Sequence, residues 1–284
     1  MFTIIRNTLR KSRGALIGWG IGLAALAIMM GSMFDMMVAS NEMIDVVNAY
    51  TVAMPELAAM FKMDEMGTPI GWLDVEYFSF VPLIIGLFVT GIGANMLARD
   101  EEDGTLDLIL AHPVSRTALF WGRFLANTLV MIILLLISWA SLLLPMTWSE
   151  NFSIPAFDLL RPFVSMFGIM LFFMTLALLF GMLLPARSMA RMLSGMLVGA
   201  SFFISLLSAA VEELERVADF SPLAYLETAT AIKDGLSFNW FGMFIAINLM
   251  LALIAWQLFQ RRDIRVGGEG SWSLQNLKTI FVKK

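Results

Sequence analysis

The chain has 284 residues, of which 59% are hydrophobic and only 15% charged, and its formal net charge is −4. Soluble globular proteins carry about 45–50% apolar and roughly 25% charged residues, so this composition excludes an ordinary soluble domain and also a disordered chain. The absence of cysteine excludes disulfides, thiolate metal sites and thiol catalysis, and the acidic balance gives no electrostatic footprint for nucleic acid. The sequence is that of an integral membrane protein.

Six apolar stretches along the chain predict six transmembrane helices, because a helix needs about 20 apolar residues to cross a bilayer core of roughly 30 Å. Each stretch contains a run of 20 to 26 residues without Asp, Glu, Lys or Arg, and the alternation typical of a β-barrel is missing. The predicted fold is an all-α membrane protein with one transmembrane domain over 1–284. Its predicted spans are 14–37, 77–98, 120–146, 162–186, 192–212 and 237–260.

The segments outside the spans carry patterns of their own. Residues 2–13 combine apolar and basic positions and predict a short amphipathic helix along the membrane surface. The loop 38–76 predicts two short helices, the second beginning at Pro55. They form either an external lid or substrate vestibule, or a pair of helices lying at the membrane interface. The loop 213–236 is acidic at its start and is predicted to be helical in part.

Basic residues predict the orientation in the membrane, because they concentrate in short cytoplasmic loops. Fifteen of the 19 Lys and Arg fall in 1–13, 99–123, 187–191 and 261–284. Both termini, the loop 99–117 and the tail 261–284 are therefore expected in the cytoplasm, with the loops 38–76 and 213–236 outside.

The cytoplasmic loop 99–117 has the most informative pattern. Four acids at 100–103 end the second span, Gly104 is placed to make a turn, and a short helix then runs until Pro113 stops it. Ser115 is the predicted N-cap of the helix that enters the third span.

The short helix in this loop has an apolar face. Leu106, Ile109 and Leu110 follow the i, i+3, i+4 spacing and share one side. We expect this face to dock into a groove of another protein. An ordinary amphipathic loop at the membrane interface is the alternative.

The run Glu-Glu-Asp-Gly-Thr-Leu-Asp-Leu-Ile-Leu-Ala-His-Pro-Val-Ser-Arg at 101–116 resembles the central motif of the ABC-2 type permeases, the membrane subunits of type V ABC exporters. Weaker similarities at 55–57, 221–223 and 259–264 extend the resemblance over most of the chain. It implies that the loop 99–117 is a coupling helix in contact with a separate ATP-binding cassette ATPase subunit, and that the loop before the fifth span makes a second, smaller contact. The expected contact residues are Glu101, Glu102, Gly104, Thr105, Leu106, Ile109, Leu110, Pro113, Ser115, Arg116, Arg187 and Arg191.

The residues needed for several kinds of chemistry are missing. The sequence has no phosphate-binding loop, so we expect no ATP hydrolysis in this chain, with ATP and Mg²⁺ bound by the partner subunit. The only histidine, His112, lies in the cytoplasmic loop, which disfavours an intramembrane serine protease. The 23 methionines could hold Cu(I), but without cysteine and with one histidine we expect no metal site, no catalytic residue and no cofactor in the chain.

The leading functional hypothesis is a permease subunit of an exporter, with two six-span halves, identical or different, forming the pathway among membrane lipids. Gly18, Gly22 and Ala25 would permit close helix approach between the halves. Because the predicted span cores hold no ionisable residue, we expect a lipophilic or amphipathic substrate such as a drug, an antibiotic or a lipid. A stand-alone secondary transporter and a non-transporting membrane anchor or assembly protein are the alternatives. The expected location is the cytoplasmic membrane of a bacterium or archaeon.

Overall fold

The structure is a computed structural model that describes residues 1–60, 65–208 and 210–261. These ranges contain helices and turns and no β-strand. Of the predicted cytoplasmic tail, Arg261 alone lies within the described residues. The helices are α1 Phe2–Ala39, α2 Asn41–Ala53, α3 Pro55–Met60, α4 Pro69–Leu73, α5 Val81–Asn95, α6 Ala98–Glu102, α7 Leu106–Leu110, α8 Arg116–Leu143, α9 Ala156–Leu183, α10 Arg187–Leu207, α11 Glu212–Ala218, α12 Thr228–Lys233 and α13 Phe238–Arg261.

Six helical segments of the described chain are long and apolar enough to cross a membrane, which confirms the predicted all-α fold and the predicted number of spans. The third, fourth and fifth spans begin four to six residues before the predicted bounds, because first turns that contain a charged residue continue the same helix. The segments are Phe2–Ala39, Pro69–Asn95, Arg116–Thr147, Ala156–Leu183, Arg187–Leu207 and Phe238–Arg261.

The first helix differs from the prediction at its start. We expected a separate surface helix over 2–13, and this expectation is wrong, since α1 continues unbroken through Gly14 from Phe2 to Ala39. A single glycine inside a helix costs only about 1 kcal/mol relative to alanine, and no proline interrupts the segment. Packing also holds the first turn in line with the span, because Ile4 lies against Gly122 of α8.

The second span begins earlier than predicted and is not one regular helix. After α4, a single π-helical turn covers Asp74–Phe78, and α5 then starts with Pro82 in its first turn. A proline there removes no helical hydrogen bond, because the first N–H groups of a helix have no partner within it.

The early start of the second span brings Asp74 and Glu76 into the span, which corrects the expectation that the span cores are free of ionisable groups. Asp74 is buried, with 6% of its surface exposed, and accepts a hydrogen bond from the hydroxyl of Thr228 in α12. The pairing across 154 residues is a tertiary contact between the second span and the segment that connects the fifth and sixth spans.

The second and fourth spans form the centre of the bundle. In each of these two spans, 61% of an apolar 18-residue stretch is buried inside the bundle, against 22% in the fifth and sixth spans. α1 packs on α8, α5 on α9, α10 on α5 and α13 on α9. The α5–α9 contact is close because Gly93 lies directly against the Met174 carbonyl, where a side chain would not fit.

The segments at the opposite end from the loop 99–117 are mostly helical, as predicted. α2 and α3 are the two short helices of the first loop, and Pro55 is the first residue of α3. Asp35, near the end of α1, accepts hydrogen bonds from the backbone N–H groups of Glu150 at 3.2 Å and Asn151 at 3.1 Å. These bonds attach the end of the first span to the turn between α8 and α9.

Candidate coupling interface

The loop between the second and third spans folds as a compact helix–turn–helix. α6 ends at Glu102, Gly104 adopts φ +65°, and α7 follows at once. The N–H of Thr105 donates to the carbonyl of Asp100 at 2.8 Å, which closes the turn. A left-handed conformation strains any side chain with a Cβ, so glycine is the residue that this turn requires.

Ser115 begins the helix that enters the third span. Its hydroxyl accepts a hydrogen bond from the N–H of Ala118 at 3.1 Å, which confirms the predicted N-cap.

The loop between the fourth and fifth spans contacts this turn directly. Arg187 Nε lies 2.8 Å from Glu102 Oε2, and the backbone N–H of Arg187 donates to Glu102 Oε1 at 2.6 Å. A second carboxylate, that of Asp103, lies 3.9 Å from Arg187 Nη1. The structure therefore joins the two predicted contact loops into one surface.

Arg116 attaches the far end of the loop to the sixth span. Its Nη1 donates to the carbonyl oxygens of Phe259 at 3.2 Å and Gln260 at 3.1 Å, in the last turn of α13. The last carbonyls of a helix have no partner within it, so the guanidinium satisfies acceptors that the helix itself leaves open.

Arg123, one of the basic residues counted for orientation, also makes tertiary contacts that the sequence did not predict. It forms an ion pair with Asp100, and its Nη1 donates to the Met96 carbonyl at 2.8 Å. Asp100 is the first of the four consecutive acids, but nothing in the sequence indicates which base it meets 23 residues later. The pair connects the end of the second span to the first turns of the third.

The apolar face of the short helix points inward, not outward. Leu106 is 3% exposed and belongs to the bundle's core, while Ile109 and Leu110 pack against that core. The expectation of an outward docking face is therefore wrong. The three apolar residues pack α7 against the core of its own bundle. The exposed apolar residue of α7 is Leu108, at 68%.

The other predicted contact residues differ in their access to solvent. Glu101 is buried at 7% exposed, and Thr105, Arg116 and Arg187 are half-buried. The exposed members of the predicted set are Glu102, Gly104, Pro113, Ser115 and Arg191. Their contact with an ATPase stays a prediction.

A bundle with six helical segments long and apolar enough to cross a membrane defines a multi-pass membrane protein. The chain belongs to the ABC-2 family transporter proteins, since the model of that family matches residues 2–264. It is therefore a permease subunit of an ABC transporter, and the family associates with an ATP-binding cassette subunit. No curated protein matches the chain.

Proposed function

We propose that this permease subunit belongs to an exporter, and that a separate ATPase drives it through the joined surface of the loops 99–117 and 187–191. The observation that carries the proposal is the double contact of Arg187 with Glu102, because it makes one rigid unit of two loops from different spans. ATP and Mg²⁺ are bound and ATP is hydrolysed in the partner, and this chain has no enzymatic role.

Contacts made by three arginines attach the loop to several spans. Arg187 connects it to the fifth span, Arg116 to the sixth, and Arg123 joins the second and third. A displacement of the loop by the ATPase would therefore tilt a group of helices together, as in rigid-body switching between two access states.

The exposed tip of the loop supplies the ATPase contact in this proposal. Leu108 projects from α7, and the neighbouring Asp107, His112 and Pro113 are also exposed. An exposed leucine side chain gains free energy when a partner covers its apolar surface, so Leu108 can contribute to such an interface.

A second six-span half would pack beside α1. Gly18, Gly22 and Ala25 are exposed on one side of this helix, and no atom of the described chain lies within 4 Å of a Cβ placed at either glycine. Small residues permit close helix approach in a membrane, so this side supports the proposed dimer.

The substrate in this proposal is lipophilic or amphipathic, as the apolar spans suggest. The stand-alone secondary transporter that the sequence left open is not supported, because the chain belongs to a family of ABC transporter proteins.

The test of the coupling surface is Leu108→Asp in the full-length chain. We expect normal membrane expression, reduced co-purification of the ATPase, and substrate-stimulated ATP hydrolysis lowered at least tenfold. Phe220→Asp is the matched control, because Phe220 is 88% exposed at the opposite end of the bundle. This substitution should change neither the co-purification of the ATPase nor the ATP hydrolysis. Full ATPase binding by the Leu108 variant would disprove the proposed contact.

A further inference from the structure

A large cavity opens beside the candidate coupling interface. It has a volume of about 1560 Å³ and lies between the start of α1, the end of α5, the loop 99–114 and the first turns of α8. Pockets for drug-sized ligands usually have about 300–1,000 Å³, so this cavity has room for a larger, elongated molecule.

One end of the cavity is basic. Arg6, Arg10 and Lys11 line it, all three are exposed, and none forms an ion pair with another described residue. Basic side chains at a membrane surface are attracted to anionic lipid headgroups. The end of the cavity formed by the first turns of α1 is therefore suited to an anionic group.

The acidic groups in the wall do not cancel this charge. Asp100 is paired with Arg123, and Asp103 lies 3.5 Å from Arg99 and 3.9 Å from Arg187. Because each acid already has a basic partner, the three cations of α1 remain available to a ligand.

Asn127 of α8 gives an independent indication of a polar ligand. It lines the cavity and is only 6% exposed, yet its side chain makes no hydrogen bond within the described chain. An amide both donates and accepts hydrogen bonds, and this one lines the cavity. A ligand with oxygen atoms at this level would satisfy it.

The level of Asn127 follows from the packing of α1 on α8. Gly122 lies against Ile4, and Gly20 lies against Ile137, so the two helices run side by side in the same direction. Asn127 is thus level with residues 9–10, beside the basic end of the cavity.

The other end of the cavity is apolar and open. The rings of Trp19 and Phe88 lie there with their centroids 5.2 Å apart, and no atom lies within 4 Å of a Cβ placed at Gly91. From Arg6 to Trp19 the helix rises about 20 Å. One leaflet contributes about 15 Å to the hydrocarbon core, so the cavity matches a headgroup and an acyl chain in one leaflet.

We propose that this cavity binds an anionic phospholipid of the leaflet that faces the coupling loop. The phosphate contacts Arg6, Arg10 and Lys11, the ester oxygens reach Asn127, and an acyl chain extends to Trp19. The site goes beyond the proposed function, because lipid binding here requires neither the ATPase nor transport.

The test measures lipid retained by the full-length chain in mild detergent, by native mass spectrometry, with phosphatidylglycerol and phosphatidylcholine in parallel. We expect phosphatidylglycerol to be retained and phosphatidylcholine to be lost. Replacing Arg6, Arg10 and Lys11 together with Gln should lower retention at least tenfold, and Asn127→Ala should lower it as well. Arg13→Gln is the matched control, because Arg13 is exposed on the same helix outside the cavity wall and should leave retention unchanged.

A steric variant tests the apolar end separately. Gly91→Leu should fill the cavity and reduce retention, whereas Gly242→Leu, at an equally open position of α13 outside the wall, should not. Equal retention of both lipids, or undiminished retention by the triple variant or by Gly91→Leu, would overturn the proposal. Displacement of phosphatidylglycerol by millimolar inorganic phosphate would also overturn it, since the ligand would then be a soluble anion. None of these readouts involves ATP, so they stand apart from a failure of the proposed coupling.

Discussion

Arg187 binds Glu102 twice, through its guanidinium at 2.8 Å and through its backbone N–H at 2.6 Å. The two residues are 85 positions apart and belong to different cytoplasm-predicted loops. The backbone bond matters because Arg187 is the first residue of α10, where N–H groups have no helical partner and a carboxylate is favoured by the helix dipole.

The Glu102–Arg187 pair gives the first prediction. Exchanging the charges singly, as Glu102→Arg or Arg187→Glu, should lower stability by about 1 kcal/mol, because a partly exposed ion pair contributes little more than that. The double exchange should recover the side-chain part of the loss but not the hydrogen bond to the backbone N–H. A double-mutant cycle on thermal unfolding in detergent measures the coupling. Arg191→Glu is the control, since Arg191 is exposed one turn further along the helix, and zero coupling would contradict the contact.

Gly104 gives the second prediction. Gly104→Val should destabilise the turn by about 1–2 kcal/mol, since its φ of +65° disfavours a β-branched residue while no atom lies within 4 Å of the added Cβ. Gly104→Asn should lose much less, because asparagine tolerates this conformation better. Limited proteolysis of the loop 99–117 measures the loosening. Equal cleavage of both variants would show that the backbone conformation at position 104 does not decide the stability of the turn.

The contact between α5 and α9 gives the third prediction. Gly93→Ala should destabilise the bundle by about 1–3 kcal/mol, because its Cβ would overlap the Met174 carbonyl and the helices cannot separate without losing packing elsewhere. Gly91→Ala, two residues away on the same helix, meets no atom within 4 Å and should not lower stability. Thermal unfolding in the same detergent compares the two variants. If both variants unfold at the same temperature, the close approach of α5 and α9 at Gly93 does not determine which side chains this position tolerates.

The orientation gives the fourth prediction, and the absence of native cysteine makes it simple to test. Single cysteines at Ser40, Ser153 and Ser237 should react with an impermeant maleimide on intact cells, whereas Ala111→Cys should react only after permeabilisation. Ala111 is preferable to Ser115 for this purpose because it is exposed and its side chain makes no capping hydrogen bond, whereas the Ser115 hydroxyl caps α8. Labelling of position 111 on intact cells would show that the predicted orientation is reversed.

Much of the candidate site was readable from local sequence. The glycine turn, the N-cap at Ser115 and the short helix stopped before Pro113 each depend on neighbouring residues, and the structure has all three. The predicted direction of the α7 apolar face was wrong. A spacing of i, i+3, i+4 shows which residues share one side of a helix, but it does not show whether that side packs against the bundle or against another protein.

The sequence by itself determined the class of protein, the number of spans and the position of the loop 99–117, because hydrophobic length and turn chemistry are local properties. Only the tertiary structure decided that Leu106 is core and Leu108 is exposed, that Asp74 is inside a span, and that Arg187 meets Glu102. These outcomes depend on which helices pack together over long separations in the chain. Periodicity carries no information about such pairings, since the same apolar face can be covered by a partner, by lipid or by the chain's own bundle.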